Sequence, residues 1–581
     1  MDTARSPNST ITNRLAAIGG SAAFGYITIV LLQLKAIWGV WQWRDLTAGD
    51  TSSYFTNAYR WYSTGHGNFI WSPLYTWYYG LLLHVSRDAF IVTTWHRVII
   101  VFVLALLVLA LMRRLLPPGS AWLAAAWWVA MPMNFNSLYE VHMFSVIPQV
   151  LAALAVLWIP GRWGRGTCFA ILLIESILVR NEFLLATILF GAGCVAWEYW
   201  RAPKDESVGA ASARAYGVPL AAACLVILIF FARRTPENLT AVLEAKHAIS
   251  VCQPYAFGYQ QRHSDWQKSP WTECRDLMLR DFGRERPSLM EAFRANPPAV
   301  IEHFAWNLSL TPSGLQALLL NMMSGSVDPD YAFVLRFPLI AWPASLLILA
   351  VVLSGGYFLY RDWNHWWNAL LKDRAWAWFA MICIACVTPM IILTQRPRPS
   401  YLLAFGIFLR AAIAVCTLAL LRRGPRFQWA PALVPIAVVL LIALEPSYYV
   451  FRHTPRPLRD RYEALAPFRQ WFYAPDTIFA TASWPDELRY YIAPGSDRRD
   501  FFFSDLQHQF TPQKSLNQVL EQHRVSLVFA DDAMLADPAV RGFGAEATSN
   551  GWRLVASSHD PAWPWVLWAK PDNVNAASVK K

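Results

Sequence analysis

Apolar residues in this chain fall into long, nearly unbroken runs, and runs of about twenty residues have the length of a membrane-crossing helix. About eleven spans are predicted, near residues 15–38, 89–112, 120–136, 143–159, 167–180, 183–199, 216–232, 333–359, 375–394, 401–421 and 428–449. Two polar segments interrupt them, 39–88 and 233–332, the second with helical patterns near 273–281 and 288–309. After Tyr449 the apolar runs shorten to strand length at Thr477–Thr481, Val525–Ala530 and Trp565–Ala569, with a helical pattern over Leu516–His523. The expected fold is a polytopic α-helical membrane domain, residues 1–450, followed by a soluble α/β domain, 451–581. That second domain has no glycine-rich phosphate loop, so no nucleotide chemistry is expected of it.

The fifth run is too short to cross alone, at about thirteen residues or 20 Å of helix. It ends at Arg180-Asn181-Glu182. Either the helix is re-entrant and its charges face a cavity, or Arg180 and Glu182 form a pair that fixes two helices together.

Composition narrows the class. Of 581 residues, 55% are hydrophobic and 15% charged, which excludes an ordinary soluble protein. Lys and Arg number 50 against 39 Asp and Glu, but the basic residues cluster beside the spans, so the excess speaks for membrane orientation rather than nucleic acid. Arg5 and Arg14, Arg113 and Arg114, Arg162 and Arg165, Arg201 with Lys204 and Arg214, Lys372 and Arg374, and Arg422 to Arg426 fall on alternate turns. The positive-inside rule places these turns and the N-terminus in the cytoplasm, and 39–88, 233–332 and the C-terminal domain outside. A multi-pass protein of a plasma membrane, the inner membrane of a bacterium, is expected. The first span lacks a convincing signal-peptide cleavage site and is expected to stay as an anchor. Cys168, Cys194, Cys224 and Cys416 lie inside apolar runs and suit packing rather than zinc. Cys252 and Cys274 share the 233–332 segment, and a disulfide between them is left open.

Candidate chemistry concentrates in 39–88. Asp50 stands among aromatic and small polar residues, and on a helix it would share a face with Tyr54, Asn57, Ala58 and Trp61. A carboxylate beside an aromatic shelf suits a general base at a sugar, although a solvated cap and an interfacial aromatic belt have the same composition. Trp71 and Tyr75 flank Pro73 and are candidates to touch substrate. Arg97, beside His96, is a buried cation that needs a partner. Glu140 is the candidate second acid, with His142 close by, at the outer end of the third span. Tyr54, His142, Arg180 and Glu182 are candidate substrate contacts too. Arg396-Pro397-Arg398-Pro399-Ser400-Tyr401 sets two proline-flanked arginines at the outer surface, where they can grip a phosphate or a lipid headgroup.

Taken in order, these residues resemble the GT-C superfamily of membrane glycosyltransferases, particularly protein O-mannosyltransferases and the aminoarabinose transferases that modify lipid A. The resemblance rests on Gly49-Asp50 with Tyr54 and Ala58, Trp71-Ser72-Pro73-Leu74-Tyr75, His96-Arg97, Arg180-Asn181-Glu182, and Arg396-Pro397-Arg398 with Tyr401. It covers about residues 15–450. It implies an inverting transfer of a sugar from a polyprenyl-phosphate carrier to a lipid, polysaccharide or protein acceptor on the outer membrane face. Asp50 would be the base, and Arg396 and Arg398 would hold the donor phosphate. From the residues themselves, Arg97 and Tyr401 are further candidates to hold that phosphate, and Glu140 to act as a second acid. Three positions depart from the pattern: Asp50 is not followed by a second acid, Ser72 stands where the aminoarabinose branch has lysine, and Asn181 stands where proline is common. No obligatory cofactor is expected beyond the lipid-phosphate sugar as co-substrate, and no metal site, because few carboxylates cluster. Two other classes compete, a flippase for a lipid-linked saccharide and a noncatalytic membrane scaffold. No internal repeat of the kind transporters show is visible.

Overall fold

The structure is a computed structural model that describes residues 14, 17–43, 50–69, 71–130, 140–201, 207–235, 239–270, 273–327, 335–422, 433–444, 462–469, 471, 478–481, 491–492, 500–502, 515–530, 532–558 and 564–570. The chain forms two compact units. One comprises Met1–Gln42, Asn68–Tyr75 and Trp95–His453, and the other Trp43–Gly67, Thr76–Thr94 and Thr454–Lys581.

Twenty helices matter here. In chain order they are α1 (Ala22–Ala36), α2 (Asp50–Thr64), α3 (Pro73–Leu82), α4 (Ala89–Leu115), α5 (Pro118–Val129), α6 (Glu140–Trp158), α7 (Gly161–Leu178), α8 (Leu184–Arg201), α9 (Ser207–Ala232) and α10 (Leu239–Arg262). They continue with α11 (Cys274–Phe282), α12 (Leu289–Ala295), α13 (Pro297–Leu320), α14 (Pro338–Arg361), α15 (Ala375–Ala385), α16 (Val387–Thr394), α17 (Leu403–Leu421), α18 (Leu433–Leu444), α19 (Leu516–Gln522) and α20 (Pro538–Glu546).

Among the described residues, seven stretches are long and apolar enough to cross a bilayer: Ala89–Leu115, Val141–Trp158, Asn181–Trp200, Ser212–Ala232, Pro338–Arg361, Trp363–Thr394 and Pro399–Leu421. The protein is therefore an integral membrane protein. The shortfall against eleven has local causes. The first and last apolar runs form helices of 15 and 12 residues, and α5 has 12, its predicted span continuing into 131–136, outside the described residues. The fifth run corrects the expectation of a very short helix. α7 has 18 residues, about 27 Å, because it starts at Gly161 and takes in Arg162 and Arg165. Those two arginines are not loop charges: they bond Glu198 of α8, and Arg165 Nε also donates to Tyr216 of α9 at 2.8 Å. α7 packs between α6 and α9, and α14 lies along α17, where Gly355 allows close approach to the Cys416 carbonyl.

The sequence pattern misses α10 altogether. α10 to α13 share a core of Cys252, Tyr255, Ala256, Trp266, Leu277, Met278 and Val300. A disulfide between Cys252 and Cys274 ties α10 to the start of α11. The cross-link closes a short loop, and its removal by Cys252→Ser with Cys274→Ser is expected to lower local stability by about 3 kcal/mol. Amide hydrogen exchange across 250–282 in the full chain measures this, and unchanged protection would contradict it. Ser288 and Glu291 form a capping box at α12, and Asn296 caps α13 ahead of Pro297. The far end of α13 is held by donors from elsewhere: Arg410 of α17, almost fully buried, donates to Leu318 O at 2.8 Å, and Trp127 Nε1 to Leu319 O at 2.6 Å. These satisfy carbonyls that a helix C-terminus leaves open.

The second unit contains a five-stranded sheet, ordered β4 (Asp500–Phe502), β3 (Ile478–Thr481), β5 (Val525–Ala530), β7 (Trp565–Ala569), β6 (Arg553–Ser558). β4, β3 and β5 run parallel, and β7 is antiparallel to both neighbours. Strand alternation sends Leu527, Phe529, Trp565, Leu567 and Ala569 to one core and Val528, Ala530 and Trp568 to another. The second core is filled by α19 and α20. The first contains Phe55 and Ala58 of α2 with Tyr79, Leu83 and Phe90, so the polar segment near the start of the chain and its C-terminal strands fold as one body.

Candidate functional site

The site is built where α7 ends. Glu175 O accepts from Val179 N at 3.0 Å and from Arg180 N at 2.9 Å, which turns the chain out of the helix and into a single 3-10 turn, Asn181–Phe183. The turn presents Arg180. Its Nε donates to Glu182 Oε1 at 2.6 Å, and its Nη1 lies 2.6 Å from His142 Nε2 on α6. A guanidinium only donates, so Nε2 accepts and the neutral ring carries its proton on Nδ1. The Arg180–Glu182 pair of the second reading forms, but within the turn itself, and it is Arg180 with His142 of α6 that links two helices.

Tyr401 sits against the same group. Its ring meets His142 edge-on at 4.9 Å, and the Arg180 and Arg398 guanidinium carbons lie 5.6 Å from its centroid each. Arg398 is aimed by the backbone around it: prolines stand on both sides, Arg398 N bonds Arg396 O at 2.7 Å, and Tyr401 N bonds Arg398 O at 3.0 Å. Arg396 is buried over Phe257 of α10, 4.7 Å from the ring centroid. The two arginines therefore rest on different aromatic rings.

The Trp71 to Tyr75 motif joins from another side. Ser72 adopts a left-handed φ of 48°, and its Oγ donates to Val179 O at 2.8 Å, directly before Arg180. Tyr75 is fully buried between His96 at 5.0 Å and Phe144 at 5.4 Å, with Trp71 half-exposed. Arg97 is buried one residue beyond His96. Asp50 and Glu140 are the first residues of α2 and α6, but their side chains lie outside the described residues. Tyr54 is buried on α2 in the second unit.

Arg180 and Tyr401 also line a small crevice of mixed polarity, with His142, Ser145, Gln149 and Ser400 beside apolar residues such as Ile391 and Leu403, and with room for about one water molecule. Beside Ser145 and Gln149 stands a carboxyl that the sequence reading passed over. Glu175 is fully buried, and its Oε1 accepts from Ser145 Oγ at 2.5 Å and Gln149 Nε2 at 3.2 Å. Its Oε2 has no hydrogen-bond partner among the described residues. Among them, too, no three His, Cys, Asp or Glu side chains gather into a metal-ligand set.

No family model matches this chain. No curated protein matches it either. Two crystal structures of ArnT from Cupriavidus metallidurans are similar to it. The one bound to undecaprenyl phosphate shows 11% identity and a TM-score of 0.36, with 99% of each chain covered. The apo structure shows 13% identity and a TM-score of 0.35, covering 97% of this chain and all of the other. At these values the functional reading rests on the side chains of this chain.

A second set of polar residues packs against the end of α16, just before Arg396 in the chain. His303 of α13 is buried, its Nε2 3.3 Å from Thr394 O and 3.1 Å from Asn307 Nδ2. Burial pushes the His303 pKa down to about 4, against the Thr394 carbonyl, which favours the proton, so the ring is neutral at neutral pH. Sequence carried a signal for Glu175, a lone acid inside an apolar run. For His303 and Asn307 it carried little, because their partners are backbone carbonyls about 90 residues away.

Proposed function

We propose that this protein is a glycosyltransferase that moves a sugar from a polyprenyl-phosphate carrier to an acceptor at the outer face of the membrane. The observation that carries this reading is the shared position of Arg180 and Arg398 on the Tyr401 ring, with His142 bonded to Arg180. Departure of a lipid phosphate develops negative charge on oxygen, and cations already in place stabilise it without reorganisation. Glu182 orients Arg180, and the proline-flanked turn orients Arg398.

Asp50 is the base in this scheme. It takes the proton of the acceptor hydroxyl as that oxygen attacks the anomeric carbon, and the bond from that carbon to the phosphate oxygen breaks with its electron pair on the phosphate. Attack opposite the leaving group inverts the centre. Trp71 supplies aromatic surface for the substrates, Glu140 a second acid, and Arg396 and Arg97 further positive charge, whereas Tyr54 and Tyr75 are buried and offer the substrates no surface. The Cys252–Cys274 disulfide suits an oxidising compartment and so favours an outer placement of 239–320.

The test compares lipids and glycans of cells that carry the wild-type gene, no gene, or Asp50→Asn, by mass spectrometry. One sugar-modified species should vanish in both altered strains. If Asp50→Asn keeps the species that deletion removes, Asp50 is not the base. If no species differs on deletion, the transferase reading is wrong.

A further inference from the structure

The arginine turn has no regular structure of its own, yet two arginines within three residues must be aimed by something. Its neighbours are unusually specific. His303, Asn307 and Gly314 recur at four and seven residues and so lie on one face of α13. That face follows the chain from α16 into the turn. Asn307 Nδ2 donates to Leu393 O at 3.0 Å, His303 Nε2 stands 3.3 Å from Thr394 O, and Gly314 lies against Pro397, where an added Cβ would be 2.2 Å from the carbonyl oxygen. From α10, Ser250 O accepts from Gln395 Nε2 at 3.0 Å, and Phe257 receives Arg396.

Leu393 O and Thr394 O lie in the last turn of α16, where helix carbonyls lack intrahelical donors. Asn307 and His303 are among the groups that meet them. With the proton on Nε2, His303 donates to Thr394. With it on Nδ1, Nε2 accepts from Asn307. In the first state ring and amide each hold a carbonyl of the helix end, and in the second the ring supports the amide that holds Leu393 O. The strut behind them is anchored, since Arg410 and Trp127 hold the opposite end of α13.

We infer that Asn307 and His303 are positioning residues for the Arg396-Pro397-Arg398 turn: they hold the carbonyls of Leu393 and Thr394 and thereby set where the two guanidinium groups stand. The inference rests on the proposal that this turn receives a lipid phosphate. It adds that the affinity for that phosphate depends on residues that do not touch it.

The test uses the full chain in nanodiscs with undecaprenyl phosphate as probe. Asn307→Leu keeps the volume and removes the donor, and is expected to weaken binding about tenfold. His303→Gln, whose amide replaces the ring nitrogen, should bind nearly as wild type, whereas His303→Leu should weaken binding like Asn307→Leu. Arg398→Ala is the reference. If positioning acts through the turn, Asn307→Leu costs less in the Arg398→Ala background than in wild type, because only Arg396 is then left to be placed. Losses that multiply in the double variant, or full-strength binding by both leucine variants, overturn the positioning role and leave the phosphate reading intact. An Arg398→Ala protein that binds as well as wild type overturns both. Should Asn307→Leu fail to fold, the two His303 variants decide alone: equal binding by glutamine and leucine overturns the inference.

Discussion

Asparagine at position 50 is expected to lower sugar transfer by roughly a thousandfold, within the range for loss of a general base. Asn has nearly the shape of Asp and keeps one acceptor oxygen, so α2 should still start at residue 50. The change removes the charge that, in the proposed scheme, takes the acceptor's proton. Binding of the lipid carrier should therefore survive, because the cations assigned to it lie on other segments. The decisive comparison is single-turnover transfer against carrier binding in the same preparation. A variant that transfers within about threefold of wild type would show that Asp50 is not the base. One that neither transfers nor binds would point to lost structure.

Arg398→Ala is expected to cost about a hundredfold in kcat, the effect of removing one preorganised donor from a developing oxyanion. Two features of the site make the loss large. Arg398 shares the Tyr401 ring with Arg180, and Arg180 is already paired with Glu182, so part of its charge is offset. Lysine at position 398 should recover only a minor part, because an ammonium cannot present the planar fork that fits both ring and phosphate. Kinetics of Arg398→Ala and Arg398→Lys with a polyprenyl-phosphate sugar separate the contributions. A change confined to KM would mean that Arg398 binds ground state and transition state alike.

Much of the architecture was legible because membranes impose simple rules. Runs such as 89–112 and 401–421 are apolar but for a few residues such as His96, Arg97 and Arg410, and the helices Ala89–Leu115 and Leu403–Leu421 follow them. The strand runs at Thr477–Thr481, Val525–Ala530 and Trp565–Ala569 appear as β3, β5 and β7; β5 and β7 are buried on both faces, and such strands read as continuous apolar stretches. Helices bounded by polar residues were harder. α7 begins in a basic stretch because Arg162 and Arg165 meet Glu198 across two helices, a pairing no local pattern reveals. α10 carries polar residues and an internal proline, Pro254, and its Cys252, Tyr255 and Ala256 pack in one core with residues of α11 and α13. The contact of Phe55 and Phe90 with C-terminal residues was likewise beyond local reading, being a long-range packing event.

Of the candidate site, sequence order suggested which motifs matter but not how they meet. Arg180, His142, Arg398 and Tyr401 do come together, joined by Ser72 through Val179. Arg396 stands apart from Arg398 on Phe257, which the paired spacing of the two arginines did not suggest. Glu175 was hidden by its apolar neighbours, and its hydrogen bonds to Ser145 and Gln149 exist only because α6 packs on α7.

The most direct measurement is an experimental structure of the full chain with a polyprenyl monophosphate added in a lipid nanodisc. The account predicts phosphate density beside Tyr401, within hydrogen-bonding distance of the Arg398 guanidinium and next to Arg180. Phosphate bound elsewhere on the protein, with Arg398 turned away from it, would contradict the account.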